Sequence, residues 1–273
     1  METRPPAFLY GTAWKEDQTQ AWVALALRTG FRGIDTANQR KHYHEAGVGA
    51  GIAEVIKEGL LTRDDLFLQT KFTFIDGQDQ RLPYDPKAPI AVQVRQSFDS
   101  SLQHLGTRYL DSLVLHGPSQ RSGLGPEDWE AWGAMEALFD AGLTRAIGIS
   151  NVSAAQLQLL LSKARVAPAF VQNRCYAIRG WDREVRALCD KHQARYQGFS
   201  LLTANVDVLQ GSPVRSAAAR LRCTPEQVVL CFSIQVGMLP LTGTTDPEHM
   251  RADLEAAALV LTQAEMDAIA KSH

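Results

Sequence analysis

What the 273-residue chain lacks narrows its reading first. No stretch approaches the roughly 18 consecutive apolar residues of a membrane-spanning helix, and the amino-terminal METRPPAFLY has no apolar core of a signal peptide. Cysteine is scarce. Cys175, Cys189, Cys223 and Cys231 show neither a CxxC spacing nor a paired histidine motif, which argues against a zinc site or a disulfide framework and for free thiols in a reducing compartment. The 28 basic and 30 acidic residues leave a net charge of −2 with no block of one sign, so the electrostatic footprint of a nucleic-acid or membrane-surface binder is absent. No GxGxxG turn follows a strand pattern; the nearest approach, GVGAG at 47–51, sits inside a helical pattern. A soluble cytoplasmic protein is the expectation, with neither nucleic acid nor membrane as partner.

What is present is a regular alternation. Eight short apolar runs read as strands: 7–12, 31–36, 66–71, 111–116, 145–150, 169–173, 196–201 and 237–243. Amphipathic stretches lie between them, several ending in a glycine of the helix C-cap kind: Gly30, Gly59, Gly106 and Gly142. Ser153 is placed to N-cap one helix, and Thr224-Pro225-Glu226 to open another. Eight βα units without an internal linker predict an α/β protein with a closed (β/α)8 TIM barrel, as one domain over residues 1–273. A chain of this length buries roughly 75% of its unfolded surface. An open doubly wound sheet is the competitor, and it would want the Gly-rich turn that is missing.

Three of the runs end on an ionisable residue: Asp35, Lys71 and His116. A charge closing a buried strand must sit at the rim of the sheet, or it would be buried without a partner. In a barrel that rim is the carboxyl-terminal mouth, so an acid, an amine and an imidazole gather where active sites are built. Two connections on this side are long and rich in glycine and proline: 72–89 and 117–127. Taken singly, Asp35 also fits a helix cap, Lys71 a solvated rim lysine or a Schiff-base lysine, and His116 a structural histidine.

The motifs GIDTA (33–37) with HEAGVG (44–49), QTK (69–71), LDSLVLHGP (110–118), IGISN (147–151), VQN (171–173) and GFSLL (198–202) stand in order at barrel spacing. In them the chain resembles the aldo-keto reductases over nearly its whole length. The resemblance implies NAD(P)H-dependent reduction of an aldehyde or ketone, with a tyrosine as general acid. It gives Asp35, Lys71 and His116 the supporting roles: the carboxylate holds the lysine, the ammonium lowers the phenol pKa from near ~10, and the imidazole orients the carbonyl.

The tyrosine departs from the pattern. The position five residues after Asp35 is Arg40, and counting back three from Glu45 reaches His42. NQRKHYHE thus carries a two-residue insertion with Tyr43 as its one tyrosine, and Tyr43 is the expected acid. The alternatives are His42 as the acid, or a structural Tyr43 in a nicotinamide-nucleotide-binding barrel that serves as a sensor or regulatory subunit with little catalysis. A lyase centred on Lys71 is a further rival.

Cofactor contacts implied by the resemblance are Ser150, Asn151 and Gln172 for the carboxamide, and Phe199 for stacking on the nicotinamide. Ser200, Leu202 and Thr203 would lie near the pyrophosphate, with Gly243, Thr244, Thr245, His249 and Asp253 toward the 2′-phosphate end. Gly243 and His249 stand where cations are common, so NADPH is the expected cofactor with NADH or dual use left open. Arg251 and the helix amino terminus near Pro247 are further candidates for holding a phosphate. Trp14, Phe72 and Gly117 are the substrate-pocket residues, with Tyr84 and Trp181 as further candidates. Gly117 stands where a tryptophan is frequent, and the chain stops directly after its last helix, so a more open site is expected. The partner is a small carbonyl compound, and a monomer is the family expectation.

Overall fold

A computed structural model describes residues 6–272. Eight parallel strands close on themselves in sequence order: β1 (Leu9–Gly11), β2 (Gly33–Asp35), β3 (Phe67–Phe72), β4 (Ser112–Leu115), β5 (Ile147–Ser150), β6 (Phe170–Arg174), β7 (Arg195–Phe199) and β8 (Leu239–Thr242). Between successive strands run α1 (Thr19–Thr29), α2 (Glu45–Lys57), α3 (Ile90–Leu105), α4 (Pro126–Asp140), α5 (Ala154–Lys163) and α6 (Arg183–Lys191). Three helices, α7 (Val206–Gln210), α8 (Ser212–Leu221) and α9 (Pro225–Gln235), fill the last crossover. After β8 come α10 (Pro247–Glu255) and α11 (Gln263–Ala270). This is the (β/α)8 barrel that the alternation predicts. Ser153 and Thr224 cap α5 and α9 as expected, each accepting from the amide three residues on. No described helix is long and apolar enough to cross a membrane.

The strands are shorter than their apolar runs. The ladder of β2 ends at Asp35 and that of β4 at Leu115, so His116 lies one residue past its strand, held by its amide on the Phe72 carbonyl at 2.9 Å.

Side chains alternate between the two sides of each strand. One set packs outward against the helices and makes the main core: Tyr10, Ile34, Leu68, Leu113, Ile149, Val171 and Tyr196 all belong to it. The other set faces the barrel axis in layers. Leu9, Phe67, Ala146, Phe170 and Leu239 form a small apolar floor. Two residues further along β3 and β6 come Gln69 and Gln172, both buried, and two further again Lys71 and Arg174. The interior therefore changes from apolar to amide to charged as it nears the mouth.

Glycine permits one close helix contact. A Cβ at Gly49 in α2 would lie 2.0 Å from the His104 carbonyl oxygen at the end of α3, an impossible separation against backbone. Gly133 in α4 has nothing within 4 Å of such a Cβ. Gly49→Ala is expected to destabilise the fold by at least about 2 kcal/mol, by overpacking. Gly133→Ala should be neutral or stabilise by up to about 1 kcal/mol. Urea unfolding of the two variants checks both.

Candidate functional site

The site grows from the polar belt above the floor. Asp35 Oδ1 accepts from Gln69 Nε2 at 2.7 Å and from Gln172 Nε2 at 3.0 Å. Gln69 and Gln197 exchange amide hydrogen bonds at 2.8 and 2.9 Å, and Gln172 Nε2 reaches Gln197 Oε1 at 2.9 Å. A buried carboxylate needs such donors. Its other oxygen, Oδ2, accepts from Lys71 Nζ at 2.7 Å, and the same ammonium donates to the Thr36 carbonyl at 2.8 Å. Asp35 and Lys71 are 2% and 1% exposed, so this pair is sealed from water. Burial pulls the lysine pKa down, and Asp35 opposes that shift.

Tyr43 reaches the pair from the segment between β2 and α2, which is pinned at several points. Asn38 donates its amide to the Lys71 carbonyl at 3.2 Å and its side chain to the Ser97 carbonyl at 2.9 Å. Gln39 Nε2 donates to the Gly77 carbonyl at 2.6 Å, and the His42 and Tyr43 amides turn back onto the Gln39 carbonyl at 3.2 and 3.0 Å. The turn places the Tyr43 ring with its centroid 5.3 Å from Lys71 Nζ and 6.0 Å from the His116 ring, which it meets edge-on at 69°. Arg40 stays out of this cluster, with Nη1 3.4 Å from the Tyr43 carbonyl and its own carbonyl accepting from Arg81. His42 turns toward Trp14, with ring centroids 4.0 Å apart, while the Trp14 amide donates to the His42 carbonyl at 2.8 Å. This turn separates the two aromatic side chains, with Tyr43 toward Lys71 and His42 toward Trp14.

Burial raises the Tyr43 pKa above the ordinary phenol range, and the charge of Asp35 raises it further. The phenol is therefore protonated at neutral pH, beside an ammonium that Asp35 holds. His116 is half-buried. Desolvation pushes its imidazole down to about 3, with the charges of Lys71 and His42 acting in the same direction. It is neutral at any physiological pH, and its Nδ1 lies 2.7 Å from Thr73 Oγ1.

Around the mouth, Ser150 ends β5 and the exposed Asn151 follows it in the left-handed region at φ 53°. Asn151 Nδ2 donates to the His116 carbonyl at 2.8 Å and to Ser150 Oγ at 3.2 Å. Phe199 closes β7 half-buried, with the Arg174 guanidinium 5.6 Å above its ring. Ser200 (φ 56°), Leu202 and Thr203 lead away from it, and Asn205 ties that loop down through the Leu201 and Cys175 carbonyls. Gly117 is open enough that a Cβ there would meet Asn151 and Ser150 only at ordinary contact distance.

A residue that sequence reasoning passed over stands opposite. Lys15, directly after Trp14, is 7% exposed and donates to the Gly243 carbonyl at 2.6 Å. No carboxylate pairs with it among the described residues, and burial lowers its pKa to about 8. Tyr10 donates to the neighbouring Thr244 carbonyl at 3.0 Å. The available signal was position alone: a lysine just beyond the carboxyl end of a strand.

Several other placements differ from expectation. Phe72 is core, 1% exposed and packed on Phe74 and Tyr84, because it follows the inward Lys71 and so points outward. Tyr84 and Trp181 are likewise buried, Tyr84 donating to the Thr73 carbonyl and Trp181 packing at a tilt against Phe232. Asp253 is buried in α10 and accepts from Thr242 Oγ1, so it fastens that helix to β8 rather than facing a ligand. The amino terminus of α10 is already capped: Asp246 accepts from the Glu248 and His249 amides at 2.7 and 3.1 Å. That leaves Thr245, His249 and Arg251 exposed around a negatively charged end, which is a poor seat for a phosphate. Gln172 sits beneath the mouth with its amide nitrogen engaged by Asp35 and Gln197.

The sequence profile described as the Aldo/keto reductase family matches residues 8–273. A probable NAD(P)H-dependent D-xylose reductase of Aspergillus terreus is 32% identical, with 94% of this chain and 87% of that protein covered. A methylglyoxal reductase of Yersinia pestis is 28% identical, covering 93% of this chain and 83% of its own length. Among solved structures, an aldo/keto reductase from Brucella melitensis superposes with a TM-score of 0.80 at 26% identity, over 97% of this chain and 94% of the other. An aldo-keto reductase from a Medee basin deep-sea metagenome library reaches 0.82 at 22% identity, over 97% and 90%.

The neutral His116 gives the fold an acid sensitivity. Its folded-state pKa lies below the unfolded value of about 6.5, so its contribution to stability is full above that pH and is lost as pH falls toward about 3. His116→Gln is expected to flatten the decline of unfolding free energy between those limits. Urea unfolding measured across the range checks it, and an unchanged slope would refute the assignment.

Proposed function

This chain belongs to the aldo/keto reductase family, and on that premise we propose that it reduces an aldehyde or ketone to the alcohol with NAD(P)H, Tyr43 donating the proton. The observation that carries this reading is the sealed Asp35–Lys71 pair lying against the Tyr43 ring, with His116 alongside.

The mouth fits a nicotinamide nucleotide. Ser150 and Asn151 offer a hydroxyl and an amide at the end of β5, the half-buried Phe199 offers an aromatic face, and Lys15 is a cation whose hydrogen-bond partner is a carbonyl rather than a carboxylate. When bound, the cofactor supplies the hydride that forms the new C–H bond. The chain's own residues handle the oxygen. His116 holds the carbonyl oxygen through its Nε2, and Tyr43 passes its phenolic proton to that oxygen as charge develops. Lys71 then stabilises the phenolate left behind, and Asp35 with its glutamine donors keeps the ammonium in place. Trp14, 70% exposed and stacked on His42, and the gap beside Gly117 border the space left for substrate.

The cofactor end supports weak discrimination between NADPH and NADH. By the family resemblance Gly243 and His249 stand where cations are common, and Asp246 places a carboxylate on the α10 amino terminus. Lys15 would serve the phosphates common to both nucleotides.

The reaction is tested by following NADPH absorbance with a reactive aldehyde. Tyr43→Phe should lower kcat by at least roughly 100-fold, and Lys71→Met by a comparable factor. Full activity in Tyr43→Phe would mean the acid lies elsewhere. For the cofactor, kcat/KM with NADPH and NADH should agree within roughly tenfold, about 1.4 kcal/mol. Asp246→Ser should shift the ratio toward NADPH, and Lys15→Met should raise KM for both. A strong preference for NADPH that survives Lys15→Met would contradict this reading of the phosphate site.

A further inference from the structure

We infer that Thr73 is a positioning residue for His116: its hydroxyl donates to Nδ1 and so fixes the imidazole with the proton on Nε2, the nitrogen left free to face the carbonyl. This role deepens the proposed reduction and rests on it for the identity of the carbonyl.

Thr73 stands two residues beyond Lys71 and one past the end of β3, so the alternation that turns Lys71 into the mouth turns Thr73 the same way. Its side chain is 6% exposed, and Oγ1 lies 2.7 Å from His116 Nδ1, the ordinary length for a hydroxyl bond. Among the described residues Thr73 Oγ1 has no other partner, and no group engages His116 Nε2. Two arrangements are open to this contact. If Nδ1–H donated to the hydroxyl, the hydroxyl's own proton would be buried without an acceptor. Nε2 would then present a lone pair to the lone pairs of a carbonyl oxygen. If the hydroxyl donates, its proton is satisfied and Nε2–H becomes a donor toward the mouth. The second arrangement leaves no orphaned donor.

The loop after β3 holds the hydroxyl in place. The Thr73 carbonyl accepts from the Tyr84 phenol at 2.8 Å, and Gln78 Nε2, itself bonded to the Asn38 carbonyl at 2.9 Å, lies 3.4 Å away. A Cβ at Gly77 would come within 2.6 Å of Thr73 Cγ2, so the bend presses against the threonine. The Gly77 carbonyl also anchors Gln39, the residue on which the Tyr43 turn closes. One loop therefore steadies both the proposed acid and the group that orients its neighbour. The role depends on the hydroxyl and not on side-chain volume, which separates it from packing.

The test uses the full chain with 15N-labelled histidine and long-range 1H–15N correlation, read without ligand. His116 is expected as the Nε2–H tautomer. Thr73→Val, equal in shape, should mix the tautomers and lower kcat roughly 10–100-fold while NADPH affinity, measured by fluorescence titration, stays within about twofold. Thr73→Ser should restore both tautomer and turnover. An Nδ1–H His116 in the parent protein would overturn the inference, as would Thr73→Val that keeps tautomer and turnover. Should Thr73→Val fail to fold, the tautomer in the parent and in Thr73→Ser decides the point. A parent chain that reduces no carbonyl would overturn the proposed reaction instead, and the tautomer spectrum would still judge Thr73.

Discussion

The buried ion pair between Asp35 and Lys71 is the constraint around which the rest of the barrel mouth is arranged. Two charges withdrawn from water are tolerable only if every remaining oxygen and proton is matched, and breaking such a pair typically costs about 3–5 kcal/mol. Gln69 and Gln172 supply the donors that Asp35 still needs, Gln197 links them, and the Thr36 carbonyl takes a further proton of Lys71. The ammonium so held lies 5.3 Å from the Tyr43 ring centroid. The floor of Leu9, Phe67, Ala146, Phe170 and Leu239 closes the barrel below and keeps water from reaching the pair from that side.

Given that fixed ammonium, the irregular segment before α2 serves to bring a phenol to it. The segment turns on Gln39, Asn38 and Gln39 tie it to β3, α3 and the bend at Gly77, and its rim residue His42 packs on Trp14. The phenol arrives protonated and the imidazole neutral, both through burial. Those protonation states suit a proton donor and an uncharged hydrogen-bond donor at neutral pH.

Much of this is legible from pattern. Alternating apolar runs announce the barrel, and strand-end Asp35, Lys71 and His116 announce the mouth, because a charge can close a buried strand only at its rim. Spacing from Glu45 points to His42, and Tyr43 is singled out only as the one tyrosine of the segment NQRKHYHE. The misreadings follow from geometry that a linear pattern does not carry. Phe72 reads as a pocket wall by its place after Lys71, although parity with that lysine sends it outward. Asp253 carries an ordinary acidic signal, but its partner Thr242 appears only once β8 and α10 are packed together. Lys15 and Thr73 act through single contacts to Gly243 and His116, residues 228 and 43 positions away. No local motif marks such pairs.

If the ion pair governs the site, Asp35 serves the chemistry only through Lys71. A double-substitution cycle on carbonyl reduction tests this most directly, with turnover measured for the parent, Asp35→Asn, Lys71→Met and the two combined. Strong non-additivity is expected, with the double variant within a few-fold of Lys71→Met alone, as for residues acting as one unit. Losses that multiply would contradict it, since Asp35 would then be acting on the reaction by a route that does not pass through the ammonium.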